Sequence, residues 1–304
     1  MNITSALIKE LREKTNAGVM DCKKALEATN GDFQAAVEWL RKKGLASAAK
    51  KADRLASEGV VLILKEGNSA TMVEVNSETD FVAKNEIFKS FVENLARCLN
   101  RSNLYNQMDQ ALTLSFSNGV TVEQAVKEII AKIGENIVFR RFVRWNSPHL
   151  VETYLHGDGK IGVMVELQTD QPDHQDVRML AKDLCLHIAA MNPLALSASD
   201  MPSHLVEKER EILRAKNLEQ GKKPEMIEKI VEGQIRKFLS ESCLLEQAFV
   251  KNPDIKVAAH IQNVAQKCNA SITLTRYQRF ELGEGLEKKV NNFAQEVAQQ
   301  AKIH

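Results

Sequence analysis

A hairpin pattern occurs twice along this chain, and that repetition restricts the fold more than any other feature. In the first copy Val60-Val61-Leu62-Ile63-Leu64 and Ala70-Thr71-Met72-Val73-Glu74-Val75 flank Gly67-Asn68-Ser69. In the second, residues 151–156 and Ile161-Gly162-Val163-Met164-Val165-Glu166-Leu167 flank Gly157-Asp158-Gly159-Lys160. β-Branched runs separated by a few turn-forming residues pair without a long loop, so each copy predicts a β-hairpin. Apolar residues at helical spacing follow each one: residues 84–99, with Phe88, Phe91, Val92 and Leu95 on one face, and residues 174–190. A later helix and a closing strand are expected at 121–133 and 137–145 in the first copy, and at 254–268 and 271–281 in the second. The fold class is therefore α+β, with a core of two related subdomains built on antiparallel sheets.

Three further pieces surround that core. Residues 3–45 predict three short helices, with Thr4 or Ser5 capping Leu7, Ile8 and Leu11, then Met20, Ala25 and Leu26, then Phe33, Val37 and Leu40 behind Asp32. Residues 199–245 are dense in Glu and Lys but place Leu205, Ile212, Leu213, Ile227, Ile230, Val231, Ile235 and Phe238 at helical intervals around a Gly221-Lys222-Lys223-Pro224 break. That predicts an antiparallel helical hairpin with too little core to stand alone, which is a common form of interaction arm. A last helix is expected over 286–302. The boundaries are 1–54 for the N-terminal module and connector, 55–147 for the first subdomain, 148–198 with 246–282 for the second, 199–245 for the inserted hairpin and 283–304 for the C-terminal module.

Composition narrows the function classes. With 44% hydrophobic and 27% charged residues the chain can bury a core and should fold. Lys and Arg number 41 against 40 Asp and Glu, so no net basic field draws it to nucleic acid, and a protein partner fits better. Cys22, Cys98, Cys185, Cys243 and Cys268 are odd in number and form no Cys-x-x-Cys pair, as expected of reduced thiols in a cytoplasmic protein without a metal site. No basic segment leads into an apolar one at Met1-Asn2-Ile3-Thr4-Ser5, and every apolar run is interrupted before the ~20 residues of a membrane span.

Signatures of catalysis are missing. The chain has no phosphate-binding loop, no nucleophile elbow and no His-Glu-x-x-His, so neither an enzymatic role nor a cofactor is expected. What stands out is Thr79-Asp80-Phe81-Val82, at the junction of a predicted strand and helix. Thr79 or Asp80 can cap the helix while Phe81 staples the chain to the core. Equally, a carboxylate beside a large aromatic ring on a rigid junction can be pushed into another protein as a wedge. Spacing does not separate the two readings. Val19 and Met20, beside Gly18, are either core residues or a docking knob, and His156 is either a solvated turn residue or a contact. Arg140, Arg141 and Arg144 divide between the faces of their strand and make a poor nucleic-acid stripe.

Four segments resemble a known family. Thr15-Asn16-Ala17-Gly18-Val19-Met20-Asp21-Cys22-Lys23-Lys24-Ala25-Leu26, the run from Glu74 to Ala83, Ile133-Gly134-Glu135-Asn136 and Arg279-Phe280-Glu281-Leu282-Gly283-Glu284-Gly285 are similar, in order, to the signatures of bacterial elongation factor Ts. Asn16 and Val19 depart from the family's usual glycine and methionine. The resemblance implies a UBA-like N-terminal module and a guanine-nucleotide exchange factor whose partner is the GTPase elongation factor Tu. It implies that Asp80 and Phe81, with Thr79 and Val82, disturb the partner's Mg²⁺ site so that GDP leaves. It further implies contacts through Arg12, Val19, Met20, Ile133 and His156. The helical hairpin is a candidate homodimer surface. The competing reading is a scaffold or chaperone-like interaction protein that works through that hairpin.

Overall fold

The computed structural model describes residues 3–15, 17–117 and 119–287, so the helix expected over 286–302 lies outside the described residues except for its first two positions. The described residues divide into two compact units, one from within 3–64, 71–144 and 281–287, the other from Lys65–Ala70 and Trp145–Phe280.

The first unit opens with α1 (Ser5–Thr15), α2 (Val19–Ala28) and α3 (Phe33–Ala49). Thr4 Oγ1 accepts from the Leu7 amide at 3.3 Å and Asp32 from the Ala35 amide at 2.9 Å, each satisfying a donor that the helix start would otherwise leave bare. Leu11, Cys22, Ala25, Leu26 and Ala36 form the small core. Met20, expected in that stripe, is instead 62% exposed. Five and six positions before Ala25 and Leu26, it is rotated ~140° and ~240° from them at 3.6 residues per turn, and so faces away.

A sheet and its covering helices follow: β1 (Glu58–Glu66), β2 (Ser69–Ser77), the single turn α4 (Asp80–Ala83), α5 (Glu86–Asn100), α6 (Met108–Thr113), β3 (Ser115–Ser117), β4 (Val120–Thr121), α7 (Val122–Ile133) and β5 (Ile137–Asn146). The sheet has the order β1-β2-β5. Val73, Val75, Phe88, Phe91, Val92, Leu95, Leu99, Ile129, Ile137 and Phe142 make its core. Each of these large side chains contributes ~1.5–3 kcal/mol when fully buried. The polar stretch after α5 carries α6 and the antiparallel β3/β4 pair. A capping box of Thr121 and Gln124 starts α7, and α3 packs against α7 so closely that a Cβ on Gly44 would lie 2.9 Å from the Ala131 Cβ.

The second unit contains β6 (Leu150–His156), β7 (Ile161–Thr169), α8 (Gln175–Met191), α9 (Ser203–Glu219), α10 (Pro224–Ser242), β8 (Ala248–Phe249), β9 (Asn252–Lys256), α11 (Val257–Cys268) and β10 (Ile272–Glu281). Its sheet has the order β10-β7-β6, with β6 and β7 antiparallel from Leu150↔Leu167 to His156↔Ile161. Val163, Val165, Leu167, Leu180, Leu184, Ile188, Leu244 and Ile261 form the core. The helix expected over 254–268, α11, begins only at Val257, because residues 252–256 pair with β8 instead. α9 and α10 run antiparallel, Arg214 meeting Glu228 at 2.7 Å and Arg210 meeting Glu232, over a seam of Ile227, Val231 and Ile235.

The middle strand of each three-stranded sheet carries a buried carboxylate. On β2, Glu74 is fully buried between Val73 and Val75 and receives Arg140 Nη1 at 2.8 Å, Arg141 Nε at 2.6 Å and the Gly283 amide at 2.8 Å. The expected split of Arg140 and Arg141 between two faces is therefore overturned, since long side chains let neighbouring arginines converge on one carboxylate. On β7, Glu166 receives Arg276 at 2.7 Å and the Thr275 hydroxyl at 2.6 Å. Burial raises its pKa, but hydrogen bonds from Arg276, Ser147 and Thr275 prevail and hold it below the usual carboxylate value.

Candidate partner-binding site

Four residues follow the end of β2: Thr79 is half-buried, Asp80 and Phe81 are exposed and Val82 is buried. Phe81 is 79% exposed and Val82 only 7%, its side chain joining Val75, Phe88 and Phe91 in the core. The exposed ring costs hydrophobic stabilisation, which marks it as available to another surface. Asp80 keeps 55% of its side-chain surface and holds an ion pair with Lys84 at 3.0 Å. An exposed (i, i+4) pair of this kind is worth little and is easily exchanged for another partner.

Neither the expected cap nor the expected staple is present. The helix α5 is capped by Asn85, whose Oδ1 accepts from the Ile87 amide at 2.8 Å. Phe81 points out rather than onto the core. Thr79 does occupy the position before α4, but its amide and hydroxyl donate to the Glu135 carboxylate at 3.1 and 2.8 Å. Val82, grouped with Asp80 and Phe81 from sequence, is buried instead.

A cross-brace fixes the base of the turn. Thr79 is held by Glu135, while Glu78 Oε1 accepts from the Asn136 amide at 2.7 Å and from Arg54 Nη1 at 3.4 Å. Asn136 Nδ2 donates in turn to the Arg54 carbonyl at 2.8 Å. The segment Ile133-Gly134-Glu135-Asn136 thus holds the junction, with Ile133 half-buried against the same core. Sequence reasoning missed Arg54, Glu78, Glu135 and Asn136 as positioning residues. Three of them stand in segments already singled out by resemblance, which was the one available signal, because a contact between residues 56 apart leaves no periodicity.

Elsewhere on the first unit, Val19 is 48% exposed at the start of α2, beside exposed Met20, and Arg12 is exposed on α1. In the second unit His156 ends β6 at its turn, exposed, with Nδ1 2.9 Å from the Tyr154 hydroxyl. These residues expose apolar side chains, a guanidinium and an imidazole. They form no nucleophile–base pair among the described residues. Among the described residues, too, no helix is long and apolar enough to cross a membrane.

Comparison with known proteins agrees on one family. The family profile described as "Elongation factor TS" matches residues 78–284. Elongation factor Ts of Bdellovibrio bacteriovorus is 54% identical over the whole of both chains. That of Syntrophotalea carbinolica is 48% identical, over 99% of this chain and 100% of its own. For Clostridium perfringens the identity is 47%, over 97% and 98%.

Proposed function

Because the chain belongs to the elongation factor Ts family, we propose that it works as a guanine-nucleotide exchange factor for elongation factor Tu, with Asp80 and Phe81 as the wedge. The observation that carries this reading is the pair of neighbours Phe81 and Val82, one 79% and the other 7% exposed. Their contrast couples a projecting ring directly to the core, so that force on the ring is resisted by the packed unit rather than absorbed by a loose loop. The brace through Thr79 and Glu135 adds to that stiffness.

The mechanism is one of linkage. A factor that binds the nucleotide-free GTPase more tightly than its GDP form must weaken GDP binding by the same factor. Mg²⁺ in the partner offsets phosphate charge, so disturbing its coordination raises the free energy of the bound nucleotide. Asp80 and Phe81 supply a carboxylate and a bulky ring for that disturbance. Arg12, Val19, Met20 and Ile133 on the first unit, and His156 on the second, supply further affinity. No bond to this chain is made or broken, so it is not an enzyme in this reading and needs no cofactor. Exchange is accelerated in both directions, and the direction is set by the nucleotide pool.

The test is stopped-flow release of fluorescent GDP from elongation factor Tu with the purified chain added. Faster release, with a nucleotide-free complex isolated by gel filtration, is the expected result. Unchanged release would remove the exchange reading.

A further inference from the structure

We propose that His174, Asp176 and Cys268 form a binding site for a thiophilic divalent cation, with Zn²⁺ as the best chemical match. One ligand atom from each lies within 4.8 Å of the others. Cys268 Sγ is 3.5 Å from His174 Nδ1 and 3.9 Å from Asp176 Oδ2. Zinc bonds of ~2.3 Å to sulfur and ~2.0–2.1 Å to nitrogen or oxygen, at a tetrahedral angle, set the ligands ~3.6 Å apart. The side chains therefore already stand near the separations that an ion would impose.

The backbone holds them there. Cys268 is the last residue of α11, and His174 sits immediately before α8. Gln171 Nε2 donates to the carbonyls of Cys268 and Asn269 at 3.3 and 3.4 Å, and the Ser271 amide donates to Asp170 Oδ1 at 2.9 Å. Three hydrogen bonds thus tie the segment carrying His174 and Asp176 to the segment carrying Cys268. Segments tied together before binding lower the cost of ordering the ligands.

The donor chemistry fits as well. His174 Nδ1 accepts from the Asp176 amide at 3.2 Å, so its lone pair is present and the ring proton is on Nε2, which is the tautomer that Nδ1 ligation requires. An ion would take over that lone pair, leaving the amide to water. Lys267 Nζ, 2.9 Å from Asp176 Oδ2, occupies one side of the carboxylate, but its side chain is 68% exposed and free to swing away from an incoming cation. As the Sγ–metal bond forms, the thiol proton passes to solvent. One sulfur, one imidazole nitrogen and one carboxylate oxygen select zinc over Mg²⁺ or Ca²⁺, and water completes the fourth position. Bound metal would clip the start of α8 to the end of α11. Sequence spacing did not reveal this site because Cys268 is 94 residues from His174.

Co²⁺ is the probe. The full-length chain, stripped with chelator and titrated with Co²⁺, should bind about one equivalent and show a thiolate-to-cobalt charge-transfer band that Zn²⁺ abolishes and Mg²⁺ does not. Cys268→Ser should lose the band, and His174→Gln and Asp176→Asn should each weaken binding by at least ~10-fold. Cys98→Ser, at the one half-exposed thiol, should change nothing. Absence of the band in the parent chain overturns the proposal, as does its persistence in Cys268→Ser. If Cys268→Ser fails to fold, the other two ligand variants decide: unchanged affinity in both overturns the site.

Discussion

Thr79 and Glu135, 56 residues apart, are joined by two hydrogen bonds: the Thr79 amide and hydroxyl both donate to the one carboxylate, at 3.1 and 2.8 Å. The bond pair fixes where β2 ends, and with it the direction in which Phe81 leaves the surface. In the proposed mechanism that fixed base would keep the ring from turning away from the partner.

Phe81 and Val82 should respond oppositely to truncation. Asp80→Ala with Phe81→Ala removes exposed groups, so thermal stability should stay within about 0.5 kcal/mol of the parent. GDP release from elongation factor Tu should slow by ~10-fold or more, as for an interface anchor. Val82→Ala should instead cost roughly 2 kcal/mol of stability, seen as a lower denaturant midpoint. Equal loss of stability in both variants would contradict the assigned orientations.

Glu135→Ala should loosen the junction without touching the wedge. Leaving the Thr79 donors without their carboxylate costs about 1–3 kcal/mol. Hydrogen exchange at residues 78–83 should quicken while the amides of α5 stay protected. GDP release measured on the same protein should fall although Asp80 and Phe81 are intact.

Glu74→Gln tests the buried charge. Its carboxylate is fully buried, whereas Arg140 and Arg141 keep 23% and 29% of their side-chain surface. Removing one partner of a buried pair costs ~3–5 kcal/mol, and the residual solvation of the arginines favours the lower end. Urea unfolding should report the loss. The Gly283 amide bonded to Glu74 should lose protection too. Gly283 has φ 69°, and a Cβ there would lie 2.6 Å from the Ser57 carbonyl oxygen, so Gly283→Ala should disturb the same corner.

Excising the helical hairpin separates exchange from scaffolding. Ala195 and Cys243 pair as a β-bridge, and Leu194 and Leu244 are bonded to Ser242 and Ala195, so the two ends of the insertion already meet. Replacing residues 203–240 by a short Gly-Ser join should leave the second unit folded and GDP release intact. If release disappears while the fold remains, the hairpin-driven scaffold reading takes its place.

His187 and His260 should make the second unit acid-sensitive. Both stack with Phe249, at 6.0 and 4.1 Å between ring centres, and His187 accepts the Val250 amide at Nδ1 while its Nε2 faces Gln247. Burial lowers the pKa of both, opposed by the Gln247 bond for His187; for His260 Asp183 opposes the shift and Lys251 adds to it. With folded values below the unfolded ~6.5, the unfolded chain binds more protons, so stability is complete above that pH and declines as pH falls through it. His260→Phe keeps the ring stack and removes one titration. Its melting temperature should fall less steeply between pH 7 and 5.5 than the parent's, and equal slopes would refute the assignment.

Local pattern alone determined much of this protein. The two hairpins, the helices carrying Phe88 and Leu184 and the α9/α10 arm follow from side-chain periodicity and turn residues, which act between near neighbours. Four signatures in order also sufficed to place the chain in its family. Tertiary structure decided what spacing could not: that Val82 is buried and Phe81 exposed, that Thr79 answers Glu135 instead of capping a helix, that Arg140 and Arg141 converge on Glu74, and that His174 and Asp176 meet Cys268. Those outcomes depend on which groups far apart in the chain come within hydrogen-bond reach, and no local period records that.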